Sequence, residues 1–248
     1  MIAVKRCARS ISRLWQRRRR VRPWQLESME AKFTAVHREN TWRSAESVSG
    51  RGSTRSETEA IRRELPGLIE QIGARSILDV PCGDFHWMQD AALDVDTYIG
   101  ADVVDAIVES NARFADHRRR FVKLDLTRDP LPRVDLVFCR DCLVHFSYAD
   151  LTAALANIVR SGSKYLATTT FPDRPENRDI LTGQWRPLNV QQPPLSFPAP
   201  IRLIDERCPM KGYTDKSLGL WRIEELGLDC LQSVATGGCP PVSASVPH

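Results

Sequence analysis

The sequence predicts an α/β fold in which a mainly parallel sheet carries helices on both faces. Short apolar runs recur four times through the middle of the chain and have the length of buried strands, at residues 77–79, 98–102, 121–125 and 134–139. Each run ends in a carboxylate or is followed by one within two residues. The acids Asp79, Asp102 and Asp125 are 23 residues apart, within the roughly 20–30 residues of one strand-helix-strand step.

These three acids are predicted to lie together at one edge of the sheet. The carboxyl ends of parallel strands meet at the same edge, and open α/β sheets bind nucleotide ligands there. A carboxylate about 20 residues after the first turn accepts hydrogen bonds from two ribose hydroxyls, and Asp102 has this position. Asp125 ends the next strand and can accept a hydrogen bond from an adenine amino group.

The turn after the first strand distinguishes between nucleotide ligands. It reads Asp79-Val-Pro-Cys-Gly-Asp-Phe85 and keeps one glycine, Gly83, where dinucleotide-binding turns have three. Asp84 would repel a phosphate placed beside it. The turn therefore favours an adenosine ligand with a cationic or zwitterionic tail over a pyrophosphate. A helix is expected to follow the turn.

On these residues the chain resembles the class I S-adenosylmethionine (SAM)-dependent methyltransferases, over roughly residues 58–223. The family's first motif, acid-x-Gly-x-Gly-x-Gly, corresponds to Asp79–Phe85, with only the middle glycine kept. The ribose acid corresponds to Asp102, the adenine-side acid to Asp125, and the fourth-strand motif to residues 135–145. The resemblance implies a Rossmann-like, mainly parallel seven-stranded sheet with an antiparallel closing strand, and SAM as the cofactor.

The resemblance also assigns residues to the cofactor. Its expected contacts all follow the first four strands and are Asp79, Pro81, Cys82, Gly83, Asp84, Asp102, Val103, Asp125, Leu126 and Arg140.

Two further segments resemble a bacterial subgroup of these methyltransferases that is often associated with glycan or secondary-metabolite genes. They are residues 46–53 and the stretch from Thr168 to Asn189. This resemblance implies a small-molecule or glycan acceptor and favours methylation of a hydroxyl oxygen.

The residues after the fourth strand are candidates for catalysis. Asp141 and His145 follow that strand, where the transferred methyl group should face the acceptor. His145 is the candidate general base, because imidazole titrates near neutral pH. Alternatively His145 orients its loop without touching the acceptor, since methyl transfer can depend on alignment alone. Asp141 either polarises His145 or binds a metal, but one acid and one histidine are too few to predict a metal site.

Aromatic and basic residues elsewhere are candidates for holding the acceptor. They flank the first turn or lie in the proline-rich stretch, and they are His86, Trp87, Trp185 and Arg186.

The chain is predicted to form one methyltransferase domain over residues 24–235. Residues 24–56 form an N-terminal helical cap in this interpretation. Residues 171–200 contain seven prolines, which excludes ordinary helix or central strand, so they are expected to form an ordered lid. Residues 201–204 and 218–223 resemble a closing antiparallel pair. Residues 236–248 are expected to be disordered.

The positive charge of the chain is concentrated in its first residues. Nine of the 35 Lys and Arg residues lie in residues 1–22, which contain no acid, so the remainder has five more acidic than basic side chains. This distribution argues against nucleic-acid binding by the domain. Residues 1–23 are interpreted as a disordered basic tail. A helix in weak contact with a membrane surface is the alternative. No apolar stretch is long enough for a signal peptide or a membrane span.

The seven cysteines are odd in number and irregularly spaced, which argues against a disulfide framework and predicts a cytoplasmic protein. Two other function classes stay open. An NAD-dependent oxidoreductase would share the architecture, but the missing glycines and Asp84 argue against it. A non-catalytic nucleotide-binding module is the other, and the clustered acids and His145 argue against that. The oligomeric state is not predicted.

Overall fold

The computed structural model describes residues 22–227. Most of the predicted basic tail and all of the predicted C-terminal tail, residues 236–248, lie outside the described residues. Between residues 22 and 227 no helix is long and apolar enough to cross a membrane.

A seven-stranded sheet forms the centre of the described chain, in the order β3-β2-β1-β4-β5-β7-β6. The strands are β1 Ser76–Asp79, β2 Thr97–Asp102, β3 Arg119–Lys123, β4 Leu136–Cys139, β5 Tyr165–Thr170, β6 Arg202–Asp205 and β7 Ser217–Arg222. The first five pair in parallel, and β7 is antiparallel to both of its neighbours. This arrangement confirms the predicted fold class, including the closing antiparallel pair.

The register of the parallel strands brings their carboxyl ends to one edge. Asp79 at the end of β1 is paired with Gly100 in β2 and Phe138 in β4. The order of connection reverses between β1 and β4, because the chain runs outward through β2 and β3 and then returns to the other side of β1. Such a reversal opens a crevice beyond the strand ends, and open α/β folds place their ligands there.

Four α-helices accompany the sheet in the described part of the chain: α1 Met29–Arg38, α2 Glu59–Ile72, α3 Asp105–Asn111 and α4 Tyr148–Arg160. Ser28 and Ser147 cap the starts of α1 and α4 by accepting hydrogen bonds from Ala31 N and Asp150 N. Gly73 ends α2 with a left-handed φ of 62°, a conformation that glycine adopts without steric cost.

The helix expected directly after the first turn is not formed, and that prediction was wrong. Gly83 and Phe85 have φ values of 54° and 56°, and left-handed residues interrupt a right-handed helix before it begins. Only a single 3-10 turn, Met88–Asp90, precedes β2. Trp87 and Met88 are buried in this connection, so packing rather than helix formation fixes its path.

The proline-rich stretch acts mainly as a layer of the core. Four of its side chains join α4 on one face of the sheet: Leu188, Val190, Leu195 and Phe197. The other face is covered by α2 through Ile61, Leu65, Leu68 and Ile69. Trp221 Nε1 in β7 donates to the carbonyl of Pro198 at 2.8 Å, which ties the stretch to the sheet. Burial of these side chains explains why a segment without helix or strand is ordered.

Asp84 attaches the N-terminal loop, which contains Ser47, Val48 and Ser49, to the first turn. This carboxylate accepts hydrogen bonds from Ser47 Oγ at 3.1 Å, Val48 N at 2.9 Å and Ser49 Oγ at 3.3 Å. Ser49 lies so close to Gly83 that a Cβ at Gly83 would be 2.1 Å from Ser49 Oγ. The kept glycine therefore allows the loop to pack directly on the turn.

Replacing Asp84 by alanine should release this loop. Because charge-assisted hydrogen bonds contribute about 1.5–3 kcal/mol, the free energy of unfolding should fall by about that amount in denaturant titrations. The amide of Val48 should also exchange faster with solvent. Asp94→Ala serves as the control, since this carboxylate is 84% exposed and paired only with Arg75. Equal stability of the two variants would contradict the attachment.

Candidate functional site

A cavity of about 410 Å³ lies at the carboxyl ends of the parallel strands, within the size range of small-molecule sites. The sheet supplies its floor through the ends of β1, β2 and β4. The N-terminal cap, the proline-rich stretch and the β6–β7 connection supply the walls, with Trp42, Trp185 and Tyr213 among the lining residues. Residues far apart in sequence therefore meet around one space.

Asp102 ends β2 and lines the cavity. Its carboxylate accepts hydrogen bonds from Gly83 N at 3.2 Å and Val104 N at 3.0 Å, so it connects the first turn with the residues that follow β2. Burial raises the pKa of this carboxyl to about 6, against the hydrogen bonds of Val104 and Gly83. Each carboxylate oxygen can accept a further hydrogen bond from a ligand hydroxyl.

Asp79 lies beside Asp102 at the end of β1, and it is also buried. Burial raises the pKa of its carboxyl to about 7, and the nearby charge of Asp102 adds to the effect. The hydroxyl of Tyr98 donates to the carboxylate and opposes the shift. Two buried acids with raised pKa values in one cavity are typical of a functional site.

Neither carboxylate is in contact with a cation of the described chain, although the charge of Arg140 favours the ionised form of Asp79 from a greater distance. Within residues 22–227 no Lys, Arg or His nitrogen lies within 4 Å of Asp79 or Asp102. A ligand that brings hydroxyl donors and positive charge would supply what the protein does not. SAM has both, in its ribose and in its sulfonium and ammonium groups, so the chemistry of these residues fits this cofactor.

An apolar wall adjoins Asp102. It consists of Val103, Val104, Ile107, Leu124 and Leu126 and suits the faces of an adenine ring. The carboxylate of Asp125 is placed differently from its neighbours. It accepts hydrogen bonds from Thr127 N and Oγ1 at 2.9 and 2.6 Å and pairs with Arg128 at 3.1 Å, and it does not line the cavity. Its expected contact with adenine stays a prediction.

The N-terminal cap contributes lining residues that the sequence did not single out as ligand contacts. Met29 and Phe33 from α1, Trp42, and the loop 48–53 all line the cavity. The sequence could not show which surface this loop packs against. Gly52 lies against Asp141, where a Cβ would be 2.9 Å from Oδ2. Pro81, Cys82, Gly83 and Asp84 of the first turn line the cavity, and their expected contact with the cofactor stays a prediction.

Four charged side chains form a cluster beyond the end of β4: Arg140, Asp141, Glu206 and Lys216. Arg140 pairs with Glu206 at 2.6 Å and with Asp141 at 3.2 Å. Lys216 Nζ lies 2.6 Å from Asp141 and 3.2 Å from Glu206. Burial would raise the pKa of Asp141, but the charges of Lys216 and Arg140 outweigh it and hold that pKa well below its usual range. No sequence motif indicated Lys216 or Glu206, which reach the cluster only through the β6–β7 pairing.

His145 lies in the 3-10 turn Leu143–His145 and lines the cavity. Its Nδ1 is 2.8 Å from the carbonyl of Gln184. A carbonyl only accepts hydrogen bonds, so Nδ1 carries the proton and Nε2 of the neutral ring has a free lone pair. Nε2 has no hydrogen-bond partner among residues 22–227, and His145 is one of the residues that line the cavity. The Trp42 ring lies 5.0 Å away at 34°.

The four residues expected to hold the acceptor divide into two pairs. Trp87 and Trp185 line the cavity, and the Trp185 ring contacts Tyr213 edge-on at 4.9 Å. His86 lies outside it and pairs with Glu46 at 2.9 Å. The side chain of Arg186 is fully buried behind the His145 turn and does not reach the cavity lining.

The raised pKa of Asp79 predicts a pH-dependent stability. Its pKa is about 7 in the folded protein and about 3.9 in the unfolded chain. Folding therefore binds a proton between these values, and the ligand-free protein should lose stability as the pH rises from 4 to 7. Asp79→Asn removes this penalty while keeping an acceptor for Tyr98. The variant should be more stable than the parent at pH 8, by up to roughly 1.4 kcal/mol per pKa unit, and equally stable at pH 4.

Thermal unfolding of the ligand-free proteins at both pH values measures this difference. Asp96→Asn provides a control of opposite sign, because the hydrogen bond from Arg75 lowers the pKa of Asp96. That variant should gain nothing at pH 8. If the stability of the parent relative to Asp79→Asn stays constant or rises between pH 4 and 7, the pKa of Asp79 is not raised in the folded protein.

Comparisons with known proteins agree with this geometry. Residues 77–162, from β1 to the end of α4, match the family model of a methyltransferase domain. No curated protein matches the chain. The match to the YcgJ protein of Bacillus subtilis is 24% identical, with a TM-score of 0.37, and covers 43% of this chain and 50% of that chain. The matched region thus spans half the length of that protein.

Two solved structures share the fold over a larger part of the chain. The 1,6-didemethyltoxoflavin-N1-methyltransferase of Burkholderia thailandensis, solved with S-adenosylhomocysteine, is 15% identical over 78% of this chain and 86% of its own, with a TM-score of 0.53. The N-methyltransferase NodS of Bradyrhizobium japonicum is 12% identical over 69% of this chain and 98% of its own, with a TM-score of 0.51. Residues 77–162 are thus similar to a methyltransferase domain, and the chain shares the fold of these two methyltransferases.

Proposed function

We propose that this protein transfers the methyl group of SAM to a hydroxyl oxygen of a sugar, glycan or other small molecule, with His145 as the general base. The position of the His145 ring carries the proposal. Its Nδ1–H is bound to the Gln184 carbonyl, its Nε2 has no partner among residues 22–227, and the residue lines the cavity that contains the strand-end carboxylates. A base in this tautomer can accept a proton from an acceptor placed in the same space.

The cofactor supplies an electrophilic methyl carbon bound to a positively charged sulfur. Asp102 is placed to accept hydrogen bonds from its ribose hydroxyls, and the charge of Asp79 favours its cationic tail. Arg51 lines the same cavity and can balance a carboxylate. These residues would hold the cofactor along the floor of the cavity and leave the space beside His145 and Asp141 to the acceptor.

His145 would take the acceptor proton at Nε2 while Nδ1–H stays with Gln184. The carboxylate of Asp141 stabilises the imidazolium that results, since opposite charges attract strongly away from bulk water. Burial lowers the pKa of His145 below its usual value, partly opposed by the Gln184 hydrogen bond and by Asp141. The ring is therefore neutral, and able to accept a proton, at physiological pH.

The walls of the cavity suit a ring-shaped acceptor with hydroxyl groups. Trp42, Trp185 and Tyr213 offer flat apolar surfaces, and Asp141 and Lys216 offer an acceptor and a donor of hydrogen bonds between them. The four cysteines of the described chain are free thiols, Cys82, Cys139, Cys142 and Cys208, which supports the proposal that the protein works in the reducing cytoplasm.

His145→Gln tests the proposed base. The amide can still orient the turn but cannot accept a proton at neutral pH, so turnover should fall by about 10²–10⁴. The affinity for SAM in calorimetry should stay at the parent value. Incubation with methyl-labelled SAM and a panel of sugars and hydroxylated small molecules would measure the turnover, and analysis of the product would distinguish O-methyl from N-methyl groups.

The parent rate should also decline on the acid side, at a pH below the ordinary histidine value of about 6.5. His117→Gln is the matched control, because His117 is an exposed residue distant from the cavity lining. Parent-like turnover in His145→Gln would leave alignment, rather than base catalysis, as the mechanism.

Asp102→Ala tests the cofactor assignment. Ribose hydroxyls would lose a charged acceptor, which corresponds to about 1.5–3 kcal/mol or roughly a 10- to 150-fold weaker affinity for SAM. Titration calorimetry with SAM and with NAD would also separate the methyltransferase from the oxidoreductase. Asp105→Ala, at an exposed carboxylate paired with Lys123, should bind as the parent does. Unchanged SAM affinity in Asp102→Ala would refute the assignment.

A further inference from the structure

Arg186 carries a charge that no carboxylate of the described residues contacts directly, and the charge of Asp179 acts on it only from a greater distance. Its side chain is fully buried, and among residues 22–227 no carboxylate lies within 4 Å of it. Its Nε and Nη2 atoms have no hydrogen-bond partner. The guanidinium packs on the ring of Tyr148, with Cζ 5.5 Å from the ring centre. A buried guanidinium without a counter-ion destabilises a fold, so its presence requires a compensating role.

The groups that Arg186 does contact belong to the turn that carries His145. Arg186 N donates to the carbonyl of Val144 at 3.1 Å. Its Nη1 points to the carbonyls of Leu143 and Val144 at 3.4 and 3.3 Å. The side chain therefore spans the back of this turn, on the side away from the cavity.

Neighbouring residues of the same segment hold the turn as well. Gly183 N donates to the carbonyl of His145 at 2.9 Å, and the Gln184 carbonyl accepts from His145 Nδ1 at 2.8 Å. Thr182 Oγ1 accepts from Ser147 N at 2.8 Å. Residues 182–186 are thus hydrogen-bonded to residues 143–147 along their whole length, with Arg186 at one end of the segment and His145 in the middle of the turn.

We propose that Arg186 is a positioning residue for His145: by pinning residues 143–145 it keeps the Nδ1–H of the ring on the Gln184 carbonyl and Nε2 free in the cavity. This inference rests on the proposed function, because it explains why His145, the proposed base, has this orientation and this tautomer. The positive charge of Arg186 acts in the same direction, since it opposes a second positive charge on the imidazole.

The other charged groups around the ring have opposing effects. Asp141 favours the protonated ring, whereas Lys216 and Arg186 disfavour it. His37 of α1 lines the same cavity. The remaining neighbours, Trp42 and Phe33, contact the ring through aromatic faces and edges. Removing the charge of Arg186 should therefore shift the balance towards Asp141 and make His145 easier to protonate.

Nitrogen NMR of the imidazole rings tests this without an acceptor or a bound cofactor. In the full-length chain labelled at histidine, long-range proton–nitrogen spectra report the tautomer of each ring, and His145→Gln identifies its signals among the five histidines. The parent should show His145 as the Nδ1–H tautomer with an unprotonated Nε2. A parent ring protonated at Nε2 would overturn the inference, whatever the variants show.

Three variants separate charge, contact and fold. Arg186→Met should give a mixture of tautomers and raise the titration midpoint of His145 by about 0.5–1 pH unit. Arg186→Lys keeps the charge, so the titration midpoint of His145 should rise by no more than about half of the change expected for Arg186→Met. Arg174→Met is the control from the same segment, since Arg174 pairs with Asp215, and it should leave His145 unchanged.

The outcomes distinguish this inference from the proposed function. A midpoint and tautomer in Arg186→Met equal to those of Arg174→Met would overturn the positioning role. If Arg186→Met does not fold, Arg186→Lys tests the inference alone. A His145 titration midpoint raised by about one pH unit in Arg186→Lys, which retains the charge, would contradict the inference. A displaced midpoint in Arg186→Met beside parent-like turnover in His145→Gln would support the coupling and refute the base.

Discussion

The pairing of β1 with both β2 and β4 is the constraint on which the rest of this structure depends. Parallel ladders place Asp79, Asp102 and the end of β4 at one edge, and the reversal of strand order leaves that edge open. The cavity therefore follows from the sheet rather than from any single loop. The walls are added by segments that pack on this edge from both ends of the domain.

The charges around the cavity are arranged in two different ways. On the cofactor side, two buried carboxylates have no cationic partner in the described chain, and the pKa values of both are raised. Beyond β4, four charged groups neutralise each other. The first arrangement makes ligand binding favourable because the ligand brings the missing charge. The second is complete without a ligand and instead anchors Asp141 and the loop at Gly52.

His145 depends on segments that are distant in sequence. Its ring is bound by Gln184 from the proline-rich stretch and faces Trp42 from the N-terminal cap. Neither segment contributes a strand to the parallel part of the sheet. The backbone carbonyl on one side and the aromatic surface on the other restrict the orientation of this ring. The proline-rich stretch thus combines a core layer with the support of the His145 ring.

The sequence by itself determined the parallel strands, their closing antiparallel pair and the acids at the strand ends. Continuous apolar runs and the spacing of Asp79, Asp102 and Asp125 are local properties, and burial of the apolar runs makes them the central strands of the sheet. Most of the predicted cofactor contacts, including Gly83 and Arg140, accordingly line the cavity.

Only the tertiary structure decided which side chains meet across these elements. The helix after the first turn was lost to left-handed residues at Gly83 and Phe85. Lys216 reached Asp141 through antiparallel pairing, and Arg186 turned inward behind the His145 turn while Trp185 faced the cavity. Such contacts arise between residues 28 to 75 positions apart in the chain, as the hydrogen bonds of Asp141 show. No local pattern encodes them, because they are fixed by packing and charge pairing once the sheet has formed.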